Sequence, residues 1–123
     1  MILVGFESVD TEKSIERMCA KMVNMRIFSD AEGRMNLSVL DVAGDILAVS
    51  QFTLHASTRK GNRPSFIRAA PPDVSEPLYH TFVKRLSELL GKPVATGIFG
   101  ADMKVALIND GPVTIVMDSE NME

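Results

Sequence analysis

Apolar residues recur along the chain with two different periods, and the changes of period mark out its elements. Ile2 to Phe6 is a short, nearly continuous apolar run and predicts a buried strand. Ile15, Met18, Cys19, Met22 and Met25 then return every three or four residues, which predicts one apolar face of a helix. Asp10 or Thr11 can cap that helix, which runs to about Met25. Arg26-Ile27-Phe28 reads as extended, Asp30-Ala31-Glu32-Gly33 as a turn, and Leu37 to Val42 as a strand. Ala43-Gly44-Asp45 turns the chain into a stronger strand, Ile46 to Leu54.

The stretch from His55 to Asp73 carries Gly61, Pro64, Pro71 and Pro72, so no regular element is expected there. Loops of that length are uncommon in a compact domain and tend to be functional. Ser75 caps a second helix, with Pro77 tolerated in its first turn. Leu78, Phe82, Val83, Leu86, Leu89 and Leu90 form its buried face, and Gly91 and Pro93 end it. Three extended segments close the chain: Val94 to Phe99, Met103 to Ile108, and Val113 to Met117. The order β-α-β-β-β-α-β-β-β predicts one α+β domain over residues 1–123, with two helices packed on one side of a largely antiparallel or mixed sheet.

Composition changes this picture little. A chain of 123 residues with 46% apolar and 24% charged residues fits one soluble globular domain. No apolar run approaches the roughly 18 residues that span a bilayer, so no membrane segment is expected. The single Cys19 cannot form an internal disulfide and points to a reducing, cytoplasmic compartment. It sits on the apolar helix face and reads as a core residue.

Charge adds one local feature. Net charge is −3, yet Arg59, Lys60, Arg63 and Arg68 fall between Leu54 and Pro72 without an Asp or Glu among them. A basic loop on an acidic body suits local contact with phosphates. On charge alone the commoner reading is a solvated surface loop.

Reactive side chains are few. The two histidines, His55 and His80, belong to no His/Cys/Asp/Glu cluster with metal-ligand spacing, and no metal or cofactor is expected. No glycine pattern cradles a phosphate, and nothing singles out a base for a triad. Two segments depart from plain core patterning. Ser50-Gln51-Phe52-Thr53-Leu54 turns polar at the end of a buried strand, with alternation placing Ser50 on one face and Gln51 and Thr53 on the other. Asn109-Asp110-Gly111-Pro112-Val113-Thr114 interrupts two apolar runs and is a strong turn signal. Taken singly, the first is also a strand emerging into solvent, and the second an ordinary hairpin turn.

Together the two segments match the SQFTL and NxGPVT motifs of the D-aminoacyl-tRNA deacylases, formerly called D-tyrosyl-tRNA deacylases, and the chain resembles that family. The similarity also covers Arg26-Ile27-Phe28-Ser29-Asp30, Gly61-Asn62-Arg63-Pro64-Ser65-Phe66 and Phe99-Gly100-Ala101-Asp102-Met103, in order and along essentially the whole chain. Family members carry a hairpin ahead of the segment matching Ile2-Leu3-Val4-Gly5. By that measure the chain begins short, and a missing hairpin would expose a sheet edge or open the core.

The resemblance implies a homodimeric hydrolase acting on the ester of D-aminoacyl-tRNA, and on glycine mischarged onto tRNA-Ala. Backbone amides near Phe52 would polarise the ester carbonyl, with Ser50, Gln51 and Thr53 orienting the substrate. A cis Gly111-Pro112 dipeptide would enter the partner's site and reject an L side chain. Phe99 and Met103 would pack near the terminal adenine, and Arg59, Lys60, Arg63 and Arg68 would meet acceptor phosphates. Two accounts of the chemistry stand: Thr53 as nucleophile, or assistance from the tRNA's own 2′-hydroxyl. The second is favoured because no base is evident beside Thr53. A binding module for tRNA without catalysis is the alternative, and an esterase for small D-amino acid esters is a weaker third.

Overall fold

The structure is a computed structural model and describes residues 1–122. Strand β1 (Ile2–Val4) leads into helix α1 (Glu12–Asn24). The helix begins where the periodicity places it. Thr11 accepts from the Ser14 backbone N–H, and the Ser14 hydroxyl accepts from the Thr11 N–H. That reciprocal cap satisfies two amides that the first turn leaves without partners. Ile15, Cys19 and Val23 are its buried stripe. Burial pushes the Cys19 thiol up to about 12, so it stays protonated, and it donates to the Phe82 carbonyl.

A hairpin of β2 (Phe28–Ser29) and β3 (Met35–Leu37) follows, antiparallel around the Asp30–Gly33 turn. The strand expected over Leu37–Val42 stops at Leu37. Ser38 N–H donates to the Asp41 carboxylate and Asp41 N–H to the Ser38 hydroxyl, at 2.8 and 3.1 Å. These side chains offer the backbone a closed turn in place of a ladder.

Strand β4 (Leu47–Ser50) is likewise shorter than the Ile46–Leu54 expectation. After Gln51 the chain enters a 3-10 turn, Phe52–His55. Helix α2 (Pro72–Leu90) starts before the expected Ser75 cap, with Pro71 at the cap position. Proline is tolerated there because the first helical amides have no partner to lose. Ser75 is instead buried and donates to the Pro71 carbonyl at 3.1 Å, and Pro77 lies in the second turn, not the first. The buried ridge is Ser75, Tyr79, Phe82, Leu86 and Leu90; Leu78, Val83 and Leu89 flank it, half-buried. Gly91 ends the helix in the left-handed conformation, φ 81°. Val94 N–H then donates to the Ser87 hydroxyl, steering the chain into β5 (Ala95–Thr96).

The domain is α+β with two helices, as the pattern predicts. Its strands divide into two sheets: β2-β3 is antiparallel, whereas β1-β4-β5 is parallel throughout. Both crossovers run the same way along the sheet, from β1 to β4 and from β4 to β5, which places both helices on one face when each has the usual right-handed sense. There α1 and α2 pack on each other. Phe82 and Leu86, 1% and 0% exposed, fill the seam, each contributing about 1.5–3 kcal/mol by leaving water.

The two extended segments expected at Met103–Ile108 and Val113–Met117 form no strands among the described residues. A strand needs a partner ladder, and neither segment pairs with one among the described residues. Val105, Leu107, Ile108, Ile115 and Val116 are left exposed.

Candidate active site

The parallel sheet brings the C-terminal ends of β1 and β4 together, the place where open α/β sheets hold ligands. Gln51 N–H donates to the Val4 carbonyl at 2.7 Å, the last bond tying β4 to β1. Beyond it the backbone coils, and Leu54 N–H returns to the Gln51 carbonyl at 3.2 Å. The first two amides of that 3-10 turn, Phe52 and Thr53, have no acceptor within it, as at any helical N-terminus. The turn also overrides the alternation read from the sequence. Gln51 and Thr53 do come together, but through a side-chain hydrogen bond in which the Gln51 amide donates to the Thr53 hydroxyl oxygen.

A cleft of about 480 Å³ opens beside this turn. Ser50, Gln51 and Phe52 line one wall, and Phe99, Gly100, Asp102 and Met103 the other, with Val4 and Gly5 between. Phe99 packs against Tyr79 at 5.8 Å between ring centroids. Tyr79, buried on α2, in turn donates to the Ala48 carbonyl at 2.8 Å, so the rim at Phe99 rests on the core. Met103 lies directly against Gly97, in space that a side chain there would occupy. The sequence expectations for Ser50–Phe52, Phe99 and Met103 thus converge on one concavity.

The basic segment is a separate feature. Ser57 and Ser65 exchange backbone hydrogen bonds of 2.7 and 2.9 Å and close it into a loop. Arg59, Lys60 and Arg63 lie exposed on that loop, with no ion pair among the described residues. Arg68 is different. Both its Nε and Nη2 donate to the Glu7 carboxylate, at 3.0 and 2.9 Å, and His55 Nδ1 lies 3.3 Å from the same oxygen. Arg68 therefore has a partner already, and three cations are left facing solvent. Glu7 gave no signal in the sequence, because its partners lie 48 and 61 residues away.

The Asn109–Thr114 turn stands apart from the cleft. Asn109 fixes it by accepting from Val113 N–H and donating to the Thr114 hydroxyl, both at 3.0 Å. Gly111 has φ 138° and the Gly111-Pro112 peptide bond is cis. Both residues are exposed, and neither lines the cleft of its own chain.

A second cleft, about 330 Å³, lies on the α1 side of β1, between Met18, Met22 and Phe82 and the chain at Val116–Ser119. Among the described residues no three His, Cys, Asp or Glu side chains gather as a metal site, and no helix is long and apolar enough to cross a membrane.

The profile of a family described as D-Tyr-tRNA(Tyr) deacylase matches residues 1–118. A D-aminoacyl-tRNA deacylase of Bacteroides thetaiotaomicron is 60% identical over all 123 residues, and one of Flavobacterium johnsoniae 61%. The chain spans 82% of the length of each. The solved structure of a c-Myc DNA unwinding element binding protein superposes with a TM-score of 0.85 at 42% identity, covering 92% of this chain and 76% of its own.

Proposed function

This chain belongs to the D-Tyr-tRNA(Tyr) deacylase family, and from that membership we propose that it hydrolyses the ester joining a D-amino acid to the terminal adenosine of tRNA. The observation that carries the reading is the 3-10 turn that follows β4, whose first residue, Phe52, lines a cleft shared with Phe99 and Met103. The ester carbonyl sits at the Phe52 and Thr53 amides, which stabilise the oxyanion as water adds and the acyl C–O bond breaks. The ribose oxygen leaves with the proton. A single donor of this kind is worth about 10²–10³ in rate. Ser50 and Gln51 orient the acyl group, and Phe99 and Met103 receive the terminal adenine. Arg59, Lys60 and Arg63 meet acceptor-stem phosphates, while Arg68 supports the loop through Glu7.

The finer reading is a homodimer whose Gly111-Pro112 turn completes the partner's cleft, its carbonyls holding the substrate amino group and leaving no room for an L side chain. Two facts support it: the turn is exposed away from its own cleft, and Leu107, Ile108, Ile115 and Val116 leave apolar surface beside it. The same pocket accepts glycine, which has no side chain to reject, including glycine mischarged onto tRNA-Ala. Charged tRNA as substrate places the protein in the cytoplasm.

Matched D- and L-aminoacyl-tRNA test the reading directly. Ester loss is expected on the D form and not on the L form; equal rates, or salt-dependent tRNA binding with no ester loss, sink it. Thr53 is the second check. Its hydroxyl oxygen accepts from Gln51, and among the described residues no carboxylate or imidazole is hydrogen-bonded to it. Without a base a hydroxyl is a weak nucleophile, so the 2′-hydroxyl of the substrate assists instead. Thr53→Ala is expected to keep single-turnover rates within about tenfold of the parent. Abolished turnover with intact tRNA binding would return the nucleophilic role to Thr53.

A further inference from the structure

We propose that Phe66 is a positioning residue for the deacylation reaction, holding Phe52 and thereby the amides of the 52–55 turn; this rests on the function proposed above. The Phe66 ring meets the Phe52 ring edge-on, with centroids 5.2 Å apart and planes at 71°. Phe52 is 58% exposed, so little else restrains its ring. Phe66, in contrast, is held from both sides. The residue before it, Ser65, is locked to Ser57 by two backbone hydrogen bonds. On the other side, Phe66 C=O accepts from Ala69 N–H at 3.0 Å, and Ala70 N–H donates to the Phe6 carbonyl at 2.9 Å.

The same Ser57–Ser65 closure carries Arg59, Lys60 and Arg63 on its loop. Phe66 is therefore the joint between the cationic loop and the turn that meets the ester. A purely packing role fits less well. Both rings are exposed, and neither belongs to the buried core. An aromatic edge contact orients what it touches, and small displacements of an oxyanion donor are costly to rate.

The test uses the intact protein with D-aminoacyl-tRNA and with a D-aminoacyl-adenosine ester that lacks the acceptor stem. Phe66→Leu keeps apolar bulk without a ring edge, and Phe66→Tyr keeps the ring. The Leu variant is expected to lose about tenfold in kcat on both substrates, with KM within about twofold, while the Tyr variant recovers the parent kcat. Equal kcat for all three proteins overturns the inference. So does a loss confined to the tRNA substrate, which would make Phe66 a tRNA contact. A melting temperature that falls together with kcat in both variants, the Tyr form included, overturns it as well. A parent protein without deacylation removes the proposed function and this inference together, whereas an active parent indifferent to residue 66 removes this inference alone.

Discussion

Gly111→Ala is expected to lower deacylation of D-aminoacyl-tRNA by about 10²-fold while tRNA affinity changes little. Gly111 sits at φ 138°, where L side chains are strained by about 1–3 kcal/mol. A Cβ there would also meet Val113 Cγ2 at 2.9 Å and Val113 N at 3.1 Å. The turn is exposed, so it can relieve the clash by moving, and the loss of stability stays below the strain itself. Movement is what the proposed selection step cannot tolerate, since the Gly111 carbonyl must meet the substrate amino group.

The proposed dimeric site adds a sharper form of the experiment. If the turn acts on the partner's cleft, mixing Gly111→Ala with a cleft variant such as Gln51→Ala places both lesions in one site of the mixed dimer and leaves the other intact. Random exchange of subunits should then restore about a quarter of the parent activity from two inactive proteins. No recovery, with mixed dimers demonstrated by sizing of tagged chains, would place the turn in its own chain's site.

What could be read from the sequence divides along physical lines. Helix α1 was legible because its Thr11 cap, its apolar spacing and its end all lie within local reach of one another, although of the expected stripe only Ile15 and Cys19 are buried and Val23 takes the place given to Met22 and Met25. Gly91 marked the end of α2 for the same reason. Tyr79 was missed as a core position because a hydroxyl hides its apolar body, though its bond to the Ala48 carbonyl is what lets it be buried. Strand ends were the weak point. Alternation describes a face but cannot say whether a partner strand is present, which is why residues 103–108 and 113–117 read as strands yet form no ladder. Nor can it announce a coil into a 3-10 turn, so Thr53 was assigned by parity and the geometry assigns it by a bond from Gln51.

At the site, Ser50–Phe52, Phe99 and Met103 were legible chiefly through family motifs, and the structure brings them to one cleft. Arg68 was counted as a free cation because Glu7 is distant in sequence, and charge counting ignores pairs closed by the fold. Such a half-exposed pair contributes only about 0–1 kcal/mol, so Arg68 matters more for where it holds the loop than for stability.

Gly5→Ala should have the other large effect, and for a reason of space, not of backbone conformation. A Cβ on Gly5 would lie 2.8 Å from the Gln51 carbonyl oxygen, and 3.0 and 3.2 Å from His55 Cδ2 and Nε2. The imidazole can swing aside. The carbonyl cannot, because it accepts from Leu54 N–H, and the Gln51 amide is anchored to Val4 only one residue before Gly5. The methyl group must therefore push the 52–55 turn off the end of β1. Overpacking of this kind costs about 1–3 kcal/mol, which the core should survive. The proposed oxyanion donors would shift with the turn, and single-turnover deacylation should fall by about 10–10²-fold. Thermal melting and single-turnover rates measured on the same preparation separate the two consequences. A variant that melts lower yet deacylates at the parent rate would show that the turn moves freely on β1. The close approach of Gly5 to Gln51 would then be packing, and the amides of Phe52 and Thr53 would need some other support.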